Sequence, residues 1–136
     1  MSKLKGGCMC GDIQYDVEGD SSVTGICHCP DCKRQTGSAF STIVGVGADQ
    51  IVVEGTPRIY KTKGISGEGV LRHFCGNCGS PLYSVVNSMP GVAFIKAGTL
   101  DDTSWLVPTI EFFCDNADIW TTQDVQRQKF GLMPPG

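Results

Sequence analysis

The chain has 136 residues, with 11 Lys and Arg against 14 Asp and Glu, a net charge of −3 at neutral pH and an isoelectric point near 5.2. That length predicts one domain over residues 1–136, and the acidic balance, with no basic run longer than Lys33-Arg34, argues against a nucleic-acid partner. No stretch approaches the ~18 apolar residues that cross a bilayer, and Gly6-Gly7 follow Lys3 and Lys5 where a signal peptide needs an apolar run, so a cytoplasmic protein with no membrane partner is expected.

In chain order, Cys8-x-Cys10-Gly11 comes first, just before a strand in which Ile13, Tyr15 and Val17 alternate with Gln14, Asp16 and Glu18. Phe40 to Val46 is rich in β-branched residues and bounded by glycines, a second strand. Ile51 to Val53, Arg58 to Lys61, Val70 to Phe74, Leu82 to Val86, Val92 to Ala97 and Thr109 to Cys114 continue the series between Gly- and Pro-containing turns. Asp31 to Thr36, Leu100 to Trp105 and Gln123 to Phe130 read as short helices, and the Pro134-Pro135-Gly136 end as frayed. Many brief strands and 18 glycines predict a mainly β fold, a sandwich or folded sheet.

Eight cysteines without an export signal, at C-x-C and C-x2-C spacings, favour metal ligation over disulfides. Cys75-Gly76-Asn77-Cys78-Gly79 has the form of a zinc knuckle, two thiolates on a glycine-bearing turn. It supplies two ligands, and Cys8 with Cys10 can supply two more, closing a four-thiolate site that contributes to folding. A redox-active C-x2-C expects a βαβ setting, which the strand pattern lacks.

Cys27-His28-Cys29-Pro30-Asp31-Cys32 gathers three thiols. If the segment enters extended, Cys27 and Cys29 share a face and His28 does not. Pro30 then opens a helical turn that returns Cys32 to them. Three ligands with a vacant fourth position are the layout of a catalytic zinc. A different grouping, in which Cys27 and Cys29 close the knuckle site and free Cys8 and Cys10, is equally compatible with the spacings.

Gly7-Cys8-Met9-Cys10-Gly11, then Cys27-His28-Cys29-x2-Cys32-Lys33-Arg34-x-Thr36-Gly37, then Phe74-Cys75-x2-Cys78-Gly79 resemble the glutathione-dependent formaldehyde-activating enzyme family, also typified by centromere protein V. Pro108 to Trp120 is similar to the family's closing strand, so the resemblance runs over a core of about residues 6–120 and leaves 121–136 as a tail. It implies folded antiparallel β-sheets with short helical turns and zinc knuckles. By position it also implies a structural zinc on Cys8, Cys10, Cys75 and Cys78, and a second, labile zinc on Cys27, Cys29 and Cys32. The implied activity is that of a carbon–sulfur lyase, S-hydroxymethylglutathione synthase-like, with glutathione or a similar small thiol and an aldehyde such as formaldehyde as partners.

A three-thiolate zinc can take a substrate thiol as fourth ligand and hold it deprotonated. Arg34 and Lys33 follow the trio and can meet the carboxylates of a glutathione-like thiol, or form an ordinary solvated helix face. His28 is expected outside the metal's own ligands or at the surface, His73 in a structural role, and Cys114 as a buried, inert thiol. Trp105, Trp120, Phe112 and Phe113 are expected in the core. The rival reading is a non-catalytic zinc module with an interaction or chaperone-like role, marked by one tightly held zinc and an apolar docking patch.

Overall fold

Leu4, Ile13, Tyr15 and Val17 are all buried while Gln14, Asp16 and Glu18 are exposed, so the period-two pattern of the first strand is a core face against a wet face. The computed structural model describes residues 4–64, 67–122, 128 and 132. Strand β2 (Gln14–Val17) lies between β1 (Leu4–Gly7) and β5 (Ile51–Glu54) in an antiparallel three-stranded sheet.

The larger sheet has seven strands in the order β10-β3-β4-β9-β8-β7-β6. They are β3 (Val23–Cys27), β4 (Ser41–Gly47), β6 (Arg58–Thr62), β7 (Val70–Phe74), β8 (Pro81–Val86), β9 (Val92–Lys96) and β10 (Ile110–Phe112). All pairs are antiparallel except β10 with β3, where Phe112 stands opposite Cys27. A one-turn 3-10 helix, Ala48–Gln50, carries the chain from β4 across to β5 and so from one sheet to the other.

The core fills the space between the two sheets. Val44, Val46, Ala93 and Ile95 from the large sheet meet Leu4, Tyr15 and Val17 from the small one. Val44, Leu82 and Ile95 are wholly shut off from solvent, and truncating any of them to Ala should cost about 2–5 kcal/mol. At the seam Gly6 bridges Leu100, and a Cβ on Gly6 would lie 2.0 Å from the Thr99 carbonyl oxygen, so only glycine permits the approach. The opposite face of the large sheet is therefore left for other use.

Helix α1 (Pro30–Thr36) begins with proline at its first turn, where a missing N–H costs nothing, and ends at Gly37 in the left-handed region. The expected strands are present, β10 being shorter than Thr109 to Cys114. β1 and β3 were not foreseen; Gly6-Gly7 and Gly25 dilute their apolar pattern. Leu100 to Trp105 is not helical. Asp102 Oδ1 accepts the Ser104 N–H at 2.9 Å and the Asp102 carbonyl accepts Trp105 Nε1–H at 2.8 Å, a side-chain turn that displaces the helix. The helix expected over 123–130 and the frayed end at 134–136 lie outside the described residues, apart from Gln128.

Candidate functional site

Two groups of thiols sit at different places on this frame. In the first, Cys8 and Cys10 on the turn after β1 meet Cys75 and Cys78 on the turn after β7, and all four sulfurs lie within 4.8 Å of one another. Cys8 Sγ is 3.6 Å from Cys10 Sγ, which is 3.8 Å from Cys75 Sγ. Thiolates at ~2.3 Å from a tetrahedral ion sit about 3.8 Å apart, so the spacing fits a metal and is far too long for S–S bonds of ~2.05 Å.

Backbone donors complete this group. Cys8 Sγ accepts the Ile13 N–H at 3.2 Å and Cys75 Sγ the Cys78 N–H at 3.5 Å. The Ser80 hydroxyl, 3.2 Å from Cys78 Sγ, together with its N–H holds the Cys78 thiol down to about 5. Burial opposes ionisation of Cys8, as does the Cys78 thiol, but the Ile13 N–H and the thiols of Cys10 and Cys75 bring it below its ordinary value. Cys10 moves the other way, to about 11: the Asp12 N–H and the Asn77 side chain favour its thiolate, yet desolvation and the thiols of Cys8 and Cys78 outweigh them. Four thiols in contact cannot all ionise without a cation among them.

The second group lies on the free face of the large sheet. Cys27 ends β3, Cys29 precedes Pro30, and α1 turns Cys32 back so that Cys27 Sγ donates to Cys32 Sγ at 3.6 Å. Cys29 is buried beside them, but the three sulfurs do not all fall within the 4.8 Å that encloses the quartet. An ion shared by all three therefore needs the Cys29 sulfur to come closer to the other two. The trio lines a cavity of about 240 Å³ whose walls are mainly apolar, with Ile43, Val70 and Phe94 on the sheet, Phe112 at the end of β10 and Phe113 just after it. Phe113 holds a left-handed φ of 57° there, a conformation that costs a bulky residue about 1–3 kcal/mol.

On the same sheet face stand polar side chains where apolar ones would ordinarily pack. Ser41, Arg72, Ser84 and Lys96 are all buried, and the last three line the cavity. Lys96 Nζ donates to Ser41 Oγ at 2.9 Å, and Arg72 Nη1 to Gln35 Oε1 at 2.9 Å. Among the described residues neither cation has a carboxylate within salt-bridge reach; the pairs formed are His28–Glu111 and Lys33–Asp118. The hydrogen bond from Cys27 holds the Cys32 thiol down to about 5 against the effect of burial, with Lys96 and Arg72 assisting. Donation to Cys32, together with burial, pushes the Cys27 thiol up.

A second cleft, of about 470 Å³, adjoins this cavity and shares Arg72 with it; Asp31, Arg34, Gln35, Tyr60 and Thr62 also line it. The model of the family described as glutathione-dependent formaldehyde-activating enzyme matches residues 3–116. The chain belongs to that family. Among solved structures, the crystal structure of a Rhodobacter sphaeroides protein is similar at 20% identity, with a TM-score of 0.61 over 79% of this chain and 98% of that one, a likeness of fold. No curated protein matches significantly. Family membership gives the chain a role of the glutathione-dependent, formaldehyde-activating type in general.

Against that family frame, Arg34 is exposed on the wall of the outer cleft, while Lys33 is held by the Asn116 carbonyl and by Asp118 Oδ2 at 3.2 Å. His28 is buried, not at the surface, with Nε2 2.9 Å from Glu111. His73 stacks on Tyr83 with ring centroids 4.2 Å apart, and burial lowers its pKa. Cys114 is exposed, contrary to expectation, because β10 stops at Phe112 and a 3-10 turn follows. Trp105, Phe113 and Trp120 are likewise substantially exposed, and Phe112 walls the cavity. Lys96, Arg72 and Ser84 were missed by sequence reasoning. The signal was present in Val92-Ala-Phe-Ile-Lys96 and Val70-Leu-Arg72, where a cation occupies a strand position in step with buried neighbours.

Among the described residues no helix is long and apolar enough to cross a membrane.

Proposed function

We propose that this protein is a zinc-dependent, carbon–sulfur lyase-like enzyme acting on the adduct of a small glutathione-like thiol with an aldehyde such as formaldehyde. The observation that supports this is the meeting of three thiols with two buried cations, Lys96 and Arg72, that lack a carboxylate partner among the described residues. Buried Lys and Arg are rare unless something pairs them. Here the available anions are the thiolates.

On this reading Cys8, Cys10, Cys75 and Cys78 would hold a structural zinc, and Cys27, Cys29 and Cys32 an exchangeable one. Zinc held by Cys27, Cys29 and Cys32 would supply a Lewis acid that favours the ionised form of a substrate thiol. The protein's own share is charge balance, positioning and dryness. The Lys96 ammonium and Arg72 guanidinium would offset the two negative charges by which three cysteine thiolates and a substrate thiolate exceed a divalent ion. Ile43, Val70, Phe94, Phe112 and Phe113 keep water from the reacting atoms, which strengthens those interactions and favours proximity of thiol and aldehyde. The rest of the thiol would extend into the outer cleft, where the exposed Arg34 can meet a carboxylate.

The test is zinc content per chain with and without glutathione, alongside the rate of S-hydroxymethylglutathione formation followed by NMR. A second zinc that appears or is retained with the thiol, and a rate above the uncatalysed one that is lost in Cys29→Ser, is the expected result. Thiol binding and activity intact in Cys29→Ser would refute it. One tightly held zinc with no response to thiols would leave the non-catalytic zinc module as the better account.

A further inference from the structure

Three buried side-chain atoms have no hydrogen-bond partner among the described residues: His28 Nδ1, Thr62 Oγ1 and Ser84 Oγ. Of these residues only Ser84 lines the thiol cavity, and it is 6% exposed. A buried hydroxyl left unsatisfied is uncommon, because it forfeits its bonds to water without replacement. Its position in the sheet is specific. Ser84 stands opposite Arg72 on β7 and opposite Phe94 on β9, and Lys96 is the next residue of β9 on the same face. The thiols come from the other side, from β3 and α1. The cavity thus has a sulfur side and a side that carries an idle O–H donor beside two cations.

A bare thiol offers that hydroxyl only its sulfur, which the cavity places on the opposite side. An S-hydroxymethyl adduct carries one oxygen, one carbon removed from its sulfur. We propose that Ser84 Oγ–H is the hydrogen-bond donor to the aldehyde-derived oxygen, with Lys96 supplying positive charge beside it, so that the cavity recognises the S-hydroxyalkyl adduct over the free thiol. The assignment rests on the function proposed above and names the group that completes it. In the addition direction the thiolate sulfur forms the C–S bond while the carbonyl π pair moves onto oxygen. The proton given up by the thiol ends on that oxygen, yielding RS–CH2–OH from RSH and formaldehyde with no further reagent. Ser84 acts where negative charge grows during this step.

Calorimetric titration of the zinc-loaded protein with glutathione alone, and with glutathione plus formaldehyde, tests the assignment. The wild type should bind the adduct about tenfold more tightly than the thiol, and Ser84→Ala should erase that margin while leaving the glutathione affinity within roughly twofold. Turnover in Ser84→Ala should fall by about 100-fold or more. Because the hydroxyl has no partner at rest among the described residues, the Tm of Ser84→Ala should equal or exceed that of the wild type. A variant that keeps the adduct margin, or that melts several degrees lower with its hydroxyl evidently partnered at rest, overturns the assignment alone. A wild type that binds neither thiol nor adduct overturns both this assignment and the proposed function, and the two failures are told apart by which protein shows them.

Discussion

The Lys96 ammonium on β9 donates to Ser41 Oγ on the adjacent β4 at 2.9 Å; both side chains are almost closed to solvent, and Ser41 in turn stands opposite Cys27 on β3. A neutral hydroxyl cannot balance a buried charge. Burial pulls the Lys96 pKa down, and the Cys32, Cys27 and Cys29 thiols oppose it, which makes the trio the natural counter-ion.

Lys96→Met should therefore separate stability from metal affinity. Removing an ammonium that has no carboxylate partner among the described residues should leave the metal-free fold as stable as before or more so. One lost charge beside the thiolates should cost the trio about 1–3 kcal/mol, roughly a 5- to 150-fold weaker hold on zinc. Competition with a chromophoric chelator, together with urea melts, reads the two effects. Unchanged zinc affinity would remove Lys96 from the site.

The quartet makes the opposite prediction. Its four sulfurs tie the turn after β1 to the turn after β7, and so one sheet to the other. Cys75→Ser, or a strong chelator, should lower Tm by more than ~10 °C, since structural metal binding is folding free energy. Cys114→Ser is the internal control: its thiol is exposed and belongs to neither group, so Tm and metal content should not move. Circular dichroism melts with metal analysis decide both.

How much of this was readable in advance follows from the range of each interaction. Period-two alternation at Ile13, Tyr15 and Val17 exposed β2 because one strand shows it by itself. The two thiol groups were legible because cysteine spacing within a turn is local, although joining Cys8 and Cys10 to a knuckle 65 residues away required the family resemblance. Lys96, Arg72 and Ser84 escaped because their role depends on which face of a seven-stranded sheet the chain leaves outside the core. Cys114 and Trp120 were misplaced for the same reason: β10 ends sooner than its apolar run suggests, so the residues after Phe112 turn away from the sheet.

Arg34 and Lys33, neighbours in sequence, should behave differently. Arg34 faces the outer cleft, whereas Lys33 is engaged by Asn116 and Asp118. Arg34→Ala should raise KM for glutathione by about fivefold, consistent with a solvent-screened charge-assisted hydrogen bond of ~1 kcal/mol, and leave 2-mercaptoethanol unaffected. Lys33→Ala should cost about 0.5–1 kcal/mol of stability and treat both thiols alike. Steady-state kinetics with the two thiols at two salt concentrations would settle it. Equal effects of Arg34→Ala on both thiols would show that the cleft does not read carboxylates.

Tyr15 gives a prediction that no metal chemistry enters. Its ring is buried between the sheets and its hydroxyl lies 2.7 Å from Thr99 Oγ1. Burial first, with Asp101 adding, pushes its pKa up to about 12 although the Thr99 hydroxyl favours the phenolate. The folded pKa thus stands above the unfolded value near 10, so between pH 10 and 12 the unfolded chain gives up its proton first. The stability that depends on a neutral Tyr15 is complete below pH 10 and is lost as pH rises towards 12, about 1.4 kcal/mol for each unit. Tyr15→Phe forfeits the Thr99 hydrogen bond, about 1 kcal/mol at pH 8, but has no phenol to ionise. In urea melts the wild type should lead at pH 8 and lose that lead by pH 11. Other alkaline titrations act on both proteins and cancel in the difference, so a gap that stays constant from pH 8 to 11 would mean that the Tyr15 ring is hydrated enough to ionise in the folded state.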